Sequence, residues 1–450
     1  MTWLRPLAHP AVDSSIGPRS PALSRSRSVA HTLDDVGRWL LLCAIPSAMV
    51  TPSMSFGLVH LGLSDVLAVG GATCWVFAWA SARSRPVSLG VAKWPLLALM
   101  AGVLSMTASV DYGASAKGLI ELFGLWVLPS LAVAGLFTSD QWRTRLLSAA
   151  STGSLVAAAI NSVSVLRVGL TGGLPQILGA AGGFQGYFQV LGIAVAFPRL
   201  ATALSDRRVT RVAGWSAAVI LHGVALLLTQ TRGAWVAGLV ATAVLGVVGK
   251  RAFFVAVGFA LIAGLVVAVS ADPATVIRER IHGVFQPEVS VSGFDSSVIR
   301  MALAATALTM FLAHPLTGVG LKGFVQALPY YAPAGLPLAV ETGPDQVLTL
   351  IASPHSTYLS LLSETGILGG VAIVGWVAGA WWGTYKWTQE QPPVEVLRRQ
   401  VGATLIGAIA GIGIFNLFGE MNASGAVPLT VLLALGYGLR GAEDQRPIGV

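Results

Sequence analysis

The sequence predicts an all-α integral membrane protein of about 12 transmembrane helices with one large loop. Composition is the first observation, because hydrophobic residues make up 54% of the 450 residues and charged residues only 11%. A soluble domain carries roughly 25% charged residues. Mean hydropathy is the second, at +0.73. The third is that apolar runs of about 20 residues, the length that crosses a bilayer, recur along most of the chain.

The apolar runs divide the chain into spans, tails and one loop. The predicted spans are residues 36–53, 60–82, 93–110, 117–137, 145–168, 176–198, 210–229, 232–249, 252–270, 356–385, 399–419 and 425–440. Residues 1–35 are rich in Ser, Arg and Pro, so we expect a disordered cytoplasmic tail before the first span. Residues 441–450 form the second predicted tail.

Positive charge predicts which side each loop faces. Lys and Arg collect in cytoplasmic loops, and with the N-terminus in the cytoplasm all but seven of the 28 basic residues fall on that side. The seven on the outer side are Lys117, Arg167, Arg232, Arg278, Arg280, Arg300 and Lys322. The net charge of +8 is explained by this rule, and we expect no nucleic-acid partner. Membrane lipids are the predicted surroundings.

Residues 271–355 form the large loop, on the predicted outer side. Long loops in compact proteins are usually functional or disordered, and this one contains short predicted helices. Residues 298–313 are apolar apart from Arg300 and two threonines. We expect a helix lying in or near the membrane interface and ended by Pro315.

Three outer basic residues and one histidine are the candidate site. Arg232 lies at the junction of predicted spans seven and eight, Arg300 begins the loop helix, and Lys117 begins span four. Arginine suits a diphosphate because its planar group donates two parallel hydrogen bonds. The alternative for each is a side chain that only reaches lipid headgroups. His355 ends the loop just before span ten, where its alternative is a polar helix-start residue without a role.

Other patterns are set aside. The segment from Gly318 to Gly323 has the letters of a dinucleotide-binding fingerprint, but no strand precedes it, so we predict a turn after Pro315. No cluster of His, Cys, Asp and Glu has metal-ligand spacing, so no metal is expected. Cys43 and Cys74 lie in apolar runs and are predicted to be reduced.

Three motifs together resemble the O-antigen ligase and polymerase superfamily. They are Thr-Gln-Thr-Arg-Gly-Ala-Trp at 229–235, His-Pro-Leu-Thr-Gly-Val-Gly at 314–320, and His-Ser-Thr-Tyr-Leu-Ser-Leu-Leu-Ser-Glu-Thr-Gly at 355–366. The last is the most specific, and the region corresponds to about 215–380. The chain is most similar to an O-antigen ligase.

The resemblance implies a C-type membrane glycosyltransferase that uses no metal or other cofactor. Such a ligase moves O-antigen polysaccharide from undecaprenyl diphosphate to lipid A–core, on the periplasmic side of a bacterial inner membrane, in lipopolysaccharide biosynthesis. By motif matching, His355 is the catalytic residue, and Arg232, Arg300 and, less firmly, Lys117 bind the donor diphosphate. One displacement would invert the anomeric carbon.

Other functions stay open. Polymerases of the superfamily often show two large outer loops and an Arg followed eleven residues later by Gly, which none of the outer arginines has here. That favours a ligase over a polymerase, and a protein O-oligosaccharyltransferase remains an alternative. A transporter of a lipid-linked sugar should show internal repeats and midplane charges. A purely structural partner would not need the outer Arg, Arg and His set.

Overall fold

The computed structural model describes a helical membrane protein. The described residues are 21–50, 54–56, 59–82, 87, 89–168, 182–229, 231–248, 296–333, 339–342, 347–350, 353–391, 395–418 and 429–436. Within them, eight helices are long and apolar enough to cross a membrane. The predicted class of integral membrane protein is therefore confirmed.

The eight candidate spans all correspond to predicted spans. They are Leu63–Ser81, Gly90–Ala108, Tyr112–Leu136, Asp140–Val163, Gly186–Ser205, Val209–Leu228, Thr357–Glu390 and Val396–Phe418. Predicted span 232–249 is a shorter apolar helix, Gly233–Val248. Span 252–270 lies outside the described residues, and of span 425–440 only 429–436 is described, as helix. The total of 12 therefore stays a prediction.

Helix α1 (Pro21–Val50) begins well before the predicted first span, so the predicted disordered tail is wrong for residues 21–35. Arg38 fixes the polar part of this helix, because it pairs with Asp35 at 2.7 Å and donates to the carbonyl of Leu136 at 3.0 Å. A short antiparallel hairpin follows, with strands β1 (Met54–Phe56) and β2 (Val59–Leu61), and leads into α2 (Leu63–Ala82).

Helices α3 to α6 contain one irregular span. The helices are α3 (Leu89–Ser105), α4 (Tyr112–Glu121), α5 (Leu128–Leu136) and α6 (Asp140–Val168). Between α4 and α5 the backbone winds as a π-helix over Leu122–Val127. Asp111 caps α4 by accepting a hydrogen bond from the Ala114 amide at 3.0 Å. A wider helical turn of this kind is frequent near functional sites.

Helices α7 to α9 pack against one another. They are α7 (Gly182–Ser205), α8 (Val209–Leu228) and α9 (Arg232–Val248). Small residues bring them close together. An added Cβ on Gly186 of α7 would lie 2.4 Å from the Cβ of Ala234 on α9. The main buried apolar cluster includes residues of all three helices.

The described part of the large loop contains two helices and one hairpin. The predicted loop helix is α10 (Ser296–Ala313), which ends before Pro315 as predicted, and α11 (Phe324–Tyr331) follows. Strands β3 (Ala339–Thr342) and β4 (Val347–Leu350) pair antiparallel. Only short helices were predicted here, because two four-residue runs give too little alternation to identify strands.

Helix α10 has two apolar faces. One face buries Leu303, Ala307 and Met310 against α11 and the preceding turn. The opposite side exposes Met301, Leu308 and Leu312. An apolar face left open to the surroundings fits contact with lipid, which is the placement that the sequence predicts for this helix.

The last two long helices are α12 (Thr357–Glu390) and α13 (Val396–Phe418). Helix α12 is broken at Gly366, which has φ 67° and ψ −163°. Its second part, residues 367–390, would be about 36 Å long at about 1.5 Å per residue, which suffices to cross a bilayer. The first part, from Thr357, is a separate short helix.

Helix ends that are predicted to share a side of the membrane lie together. At one end, Arg398 of α13 pairs with Asp140 of α6 at 2.7 Å. On the same end, Gln400 donates to the Thr202 hydroxyl at 2.6 Å. The prediction assigns all these positions to the cytoplasmic side. This packing is what the predicted alternation of spans requires.

Candidate functional site

A tight turn after α10 docks against the break in α12. We call residues 314–323 the motif turn. The amide of Val319 donates to the Ser363 carbonyl at 3.0 Å, and the amide of Ile367 donates to the Pro315 carbonyl at 2.8 Å. An added Cβ on Gly366 would lie 2.5 Å from the backbone of Leu316. The positive φ and this close approach both require glycine at 366.

The glycines of the motif turn allow close packing against α12. Gly318 has φ +63°, and an added Cβ there would lie 2.3 Å from the carbonyl carbon of Glu364. The described residues place this segment between α10 and α11, with no strand before it. The prediction of a turn is confirmed.

Glu364 fastens the motif turn. Its carboxylate accepts a hydrogen bond from the Lys322 amide at 2.9 Å and another from the Phe324 amide at 3.4 Å. Phe324 is the first residue of α11, so a negative charge stands at the N-terminal end of that helix, where the helix dipole favours it. We did not assign Glu364 a role from the sequence. The signal was present, since Glu364 belongs to the most specific motif.

Replacing Glu364 by alanine is expected to lower the free energy of unfolding by about 2–3 kcal/mol. The two backbone amides would lose a charged acceptor in a nearly buried position. Glu364→Gln should recover part of this loss, because an amide oxygen still accepts one hydrogen bond. Thermal unfolding of the purified protein measures both variants. Glu390→Ala is the matched control, as an exposed carboxylate on the same helix, and an equal loss there would contradict the assignment.

His355 stands directly before α12 in a left-handed backbone conformation, with φ 53°. Ser353 and Pro354 before it, and Ser356 and Thr357 after it, are buried, whereas His355 itself is exposed. Ser356 caps α12 by accepting from the Leu359 amide at 3.4 Å. The chain on both sides is thus anchored, and the imidazole is presented at the surface.

Arg300 acts electrostatically on His355. Partial burial lowers the pKa of His355 below its ordinary value, and the positive charge of Arg300 lowers it further. Arg300 lies in the first turns of α10 and is exposed. Two of the predicted site residues, Arg300 and His355, therefore interact electrostatically, and both effects favour the neutral imidazole.

Arg232 is the first residue of α9, and its side chain lies outside the described part of the structure. The turn that carries it is well fixed. Asn161 of α6 donates to the carbonyl of Ala225 at 3.0 Å, and the indole of Trp235 donates to the carbonyl of Leu226 at 3.0 Å. These carbonyls belong to the last turn of α8, where they also accept from the Thr229 amide at 3.1 and 3.3 Å.

The C-terminal end of α13 contacts the N-terminal ends of both α9 and α12. Ser356 donates to the backbone carbonyl of Asn416 at 3.3 Å, and Thr357 donates to its side-chain oxygen at 3.2 Å. Two residues further on, Phe418 packs on α9, since an added Cβ on Gly233 would lie 2.7 Å from the Phe418 Cβ. Both motif segments, the one beginning α9 and the one beginning α12, therefore flank the same helix end.

Lys117 lies on α4, which contacts the motif turn. It is half-buried in α4, whose neighbouring Ser115 donates to the carbonyl of Leu321 in the motif turn at 2.9 Å. Glu121, one turn further, pairs with Lys322. No hydrogen bond or ion pair among the described residues joins Lys117 to Arg300 or His355. Its predicted contact with the donor stays a prediction.

Comparison with known proteins identifies part of this region. A model of the family described as O-antigen ligase matches residues 217–374. Residues 217–374, called here the O-antigen ligase region, are similar to that family. This O-antigen ligase region contains Arg232, Arg300 and His355, together with the motif turn and Glu364, whereas Lys117 lies before it. The match supports the resemblance to the O-antigen ligase and polymerase superfamily over this part of the chain.

Two further comparisons add little. No curated protein matches the chain. A solved chain, from a structure described as "Structural coordination of polymerization and crosslinking by a peptidoglycan synthase complex", is 16% identical with a TM-score of 0.43. The alignment covers 80% of this chain and 98% of that chain. A likeness this low carries no argument for the O-antigen ligase region.

Proposed function

We propose that the protein ligates O-antigen polysaccharide from undecaprenyl diphosphate onto lipid A–core, at the periplasmic face of a bacterial inner membrane. The observation that carries the proposal is the electrostatic interaction of Arg300 with His355, both inside the O-antigen ligase region. An imidazole and a guanidinium supply the two groups that the reaction needs. One accepts a proton, and the other binds phosphate.

The proposed reaction is a single displacement. The acceptor hydroxyl oxygen attacks the anomeric carbon of the first donor sugar, and the bond from that carbon to the diphosphate oxygen breaks. His355 accepts the hydroxyl proton. The electron pair leaves with the diphosphate, and Arg300 and Arg232 stabilise its developing charge. Lys117 would add a further positive charge to the donor's binding surface. In-line attack inverts the anomeric carbon.

A reconstituted assay tests the function. Purified protein in liposomes is mixed with a glycan on undecaprenyl diphosphate and with lipid A–core, and with no other enzyme. Glycan transferred to lipid A–core is the expected result. A lengthened donor would instead show a polymerase. Glycan transferred to an added acceptor protein, with none on lipid A–core, would show a protein O-oligosaccharyltransferase.

Transfer is expected to need no metal ion. The charge that leaves with the diphosphate can be stabilised by arginine, which does the same electrostatic work as a bound cation. The measurement is the transfer rate before and after treatment with a chelator. An unchanged rate is expected. A loss that is restored by adding back a divalent cation would contradict this prediction.

The proposed site must face the periplasm. Cysteine is introduced at Tyr330 or at Ser205, both exposed, in a protein whose Cys43 and Cys74 are replaced by serine. An impermeant thiol reagent should label position 330 and not position 205 in intact spheroplasts, because charge places α11 outside and the end of α7 inside. Both positions should react after permeabilisation. Labelling of position 205 alone in intact spheroplasts would overturn the orientation.

A further inference from the structure

Three polar side chains are fully buried where α6, α7 and α8 pack together. They are Asn161 of α6, Gln189 of α7 and His222 of α8, and each is 0% exposed. All three lie within candidate membrane spans, toward the end of each span that is predicted to face outward. Polar groups at that depth are costly unless they find hydrogen-bonding partners. None of the three belongs to the site proposed for glycan transfer.

Each of the three has one polar atom that no described residue satisfies. His222 Nδ1 and Gln189 Oε1 share a hydrogen bond of 2.8 Å. His222 Nε2, Gln189 Nε2 and Asn161 Oδ1 are buried and have no hydrogen-bonding partner among the described residues. A buried polar group left without a partner costs about 1–3 kcal/mol. Three such groups in one layer indicate that a bound molecule satisfies them.

The chemistry of the bound molecule follows from the His222–Gln189 pair. If Nδ1 donates to the Gln189 oxygen, the free His222 Nε2 is an acceptor and the free Gln189 amide is a donor. If the amide is reversed, it donates to Nδ1, and the free His222 Nε2–H is then a donor while the free Gln189 oxygen is an acceptor. Either way the pair presents one donor and one acceptor. Water satisfies both arrangements, because it donates and accepts equally well.

The packing reserves space for the imidazole itself. An added Cβ on Gly192 of α7 would lie 2.2–2.5 Å from the ring atoms Cε1, Nδ1 and Nε2 of His222. The ring therefore lies flat on the glycine backbone, and no larger residue fits there. The three polar side chains are completely buried among the described residues, which favours a small occupant such as water.

We propose that His222, Gln189 and Asn161 hold bound water inside the membrane-spanning part of the protein. Buried waters typically make about three hydrogen bonds to polar groups of this kind. Water on Asn161 Oδ1 would orient this amide so that its nitrogen donates to the carbonyl of Ala225, three residues beyond His222. The hydrated cluster thereby supports the end of α8, from which the chain turns into α9 at Arg232. The proposal does not depend on the reaction that the protein catalyses.

Solid-state NMR of protein labelled with nitrogen-15 at histidine, in lipid bilayers, tests the proposal. Magnetisation is transferred from water protons to the histidine rings. The His222 ring should receive it on the timescale seen for exposed His355, which is the internal control. The His222 ring signal is identified as the one that disappears in His222→Gln. If that variant does not fold, the signal is identified by its change of chemical shift in Gln189→Leu.

Two results would overturn the proposal. One is a His222 ring that receives no magnetisation from water while His355 does. The other is a His222 ring that receives magnetisation from lipid acyl protons alone, which would mean that lipid rather than water fills the cluster. As a second readout, Gly192→Ala should weaken the water transfer to His222, because the methyl group displaces the ring. Unchanged transfer in a folded Gly192→Ala protein would also count against the site.

Discussion

Replacing His355 by asparagine is expected to reduce the rate of glycan transfer at least ~100-fold, the usual worth of a general base. Asparagine is the better substitution for this position than alanine. His355 has φ 53°, and asparagine adopts that left-handed conformation more readily than most residues. The variant should therefore fold, and it keeps a polar side chain while losing basicity. The measurement is the single-turnover rate with donor saturating.

The pH dependence gives a second measure of the same role. A base must be neutral to accept a proton, so the wild-type rate should rise with pH through the pKa of His355. That pKa is lowered by burial and by Arg300, so the rise should lie at lower pH than for an ordinary histidine. A wild-type single-turnover rate in His355→Asn would exclude His355 from the chemical step. His355→Gln with substantial activity would reduce its role to positioning.

Replacing Arg300 or Arg232 by alanine is expected to lower transfer roughly 100-fold in each case, since each loses charge-assisted hydrogen bonds that strengthen as the diphosphate leaves. Lysine should rescue either site only in part, because an ammonium group cannot form the two parallel hydrogen bonds of a guanidinium. Transfer rates at equal protein levels measure the effect. Arg211→Ala is the matched control, as an exposed arginine at the start of α8 and at the opposite end of that helix from the site.

Arg300→Ala should also change the titration of His355. Removing the nearby positive charge raises the pKa of the imidazole, so the acid limb of the residual activity should move to higher pH. A merely structural arginine would lower the rate without moving that limb. Full activity in Arg232→Ala would remove Arg232 from the site, and full activity in Arg300→Ala would leave His355 without its proposed phosphate-binding neighbour.

Periodicity and charge predict the spans because lipid imposes a strict length and composition on them. The match between predicted span 210–229 and the observed Val209–Leu228 shows this. Residues 21–35 were misassigned because they are polar and contain no long apolar run. The helix that they begin is held by Arg38 donating to the Leu136 carbonyl, and a contact between distant residues leaves no local pattern in the sequence.

The candidate site could be predicted in part. Arg300 and His355 were identifiable by type, position and motif, and in the structure the positive charge of Arg300 lowers the pKa of His355. The motif marks Glu364 but not its role, because its partners are the backbone amides of Lys322 and Phe324, 42 and 40 positions earlier in the chain. Nearly every residue type has a backbone amide, so the sequence does not mark which residues donate to Glu364. The break at Gly366 was also not predicted, because Gly366 and Gly370 have the four-residue spacing of small residues in continuous, closely packed helices.

A photoreactive donor tests the central claim most directly, namely that the start of α10 and the start of α12 hold the lipid-linked diphosphate. The donor carries a diazirine on the sugar next to the diphosphate, and crosslinked peptides are mapped by mass spectrometry. We expect crosslinks at residues 296–301 and 353–358, which weaken in Arg300→Ala and persist in Arg211→Ala. Crosslinks confined to the other end of the helices, around residues 202–208 and 396–400, would contradict the account.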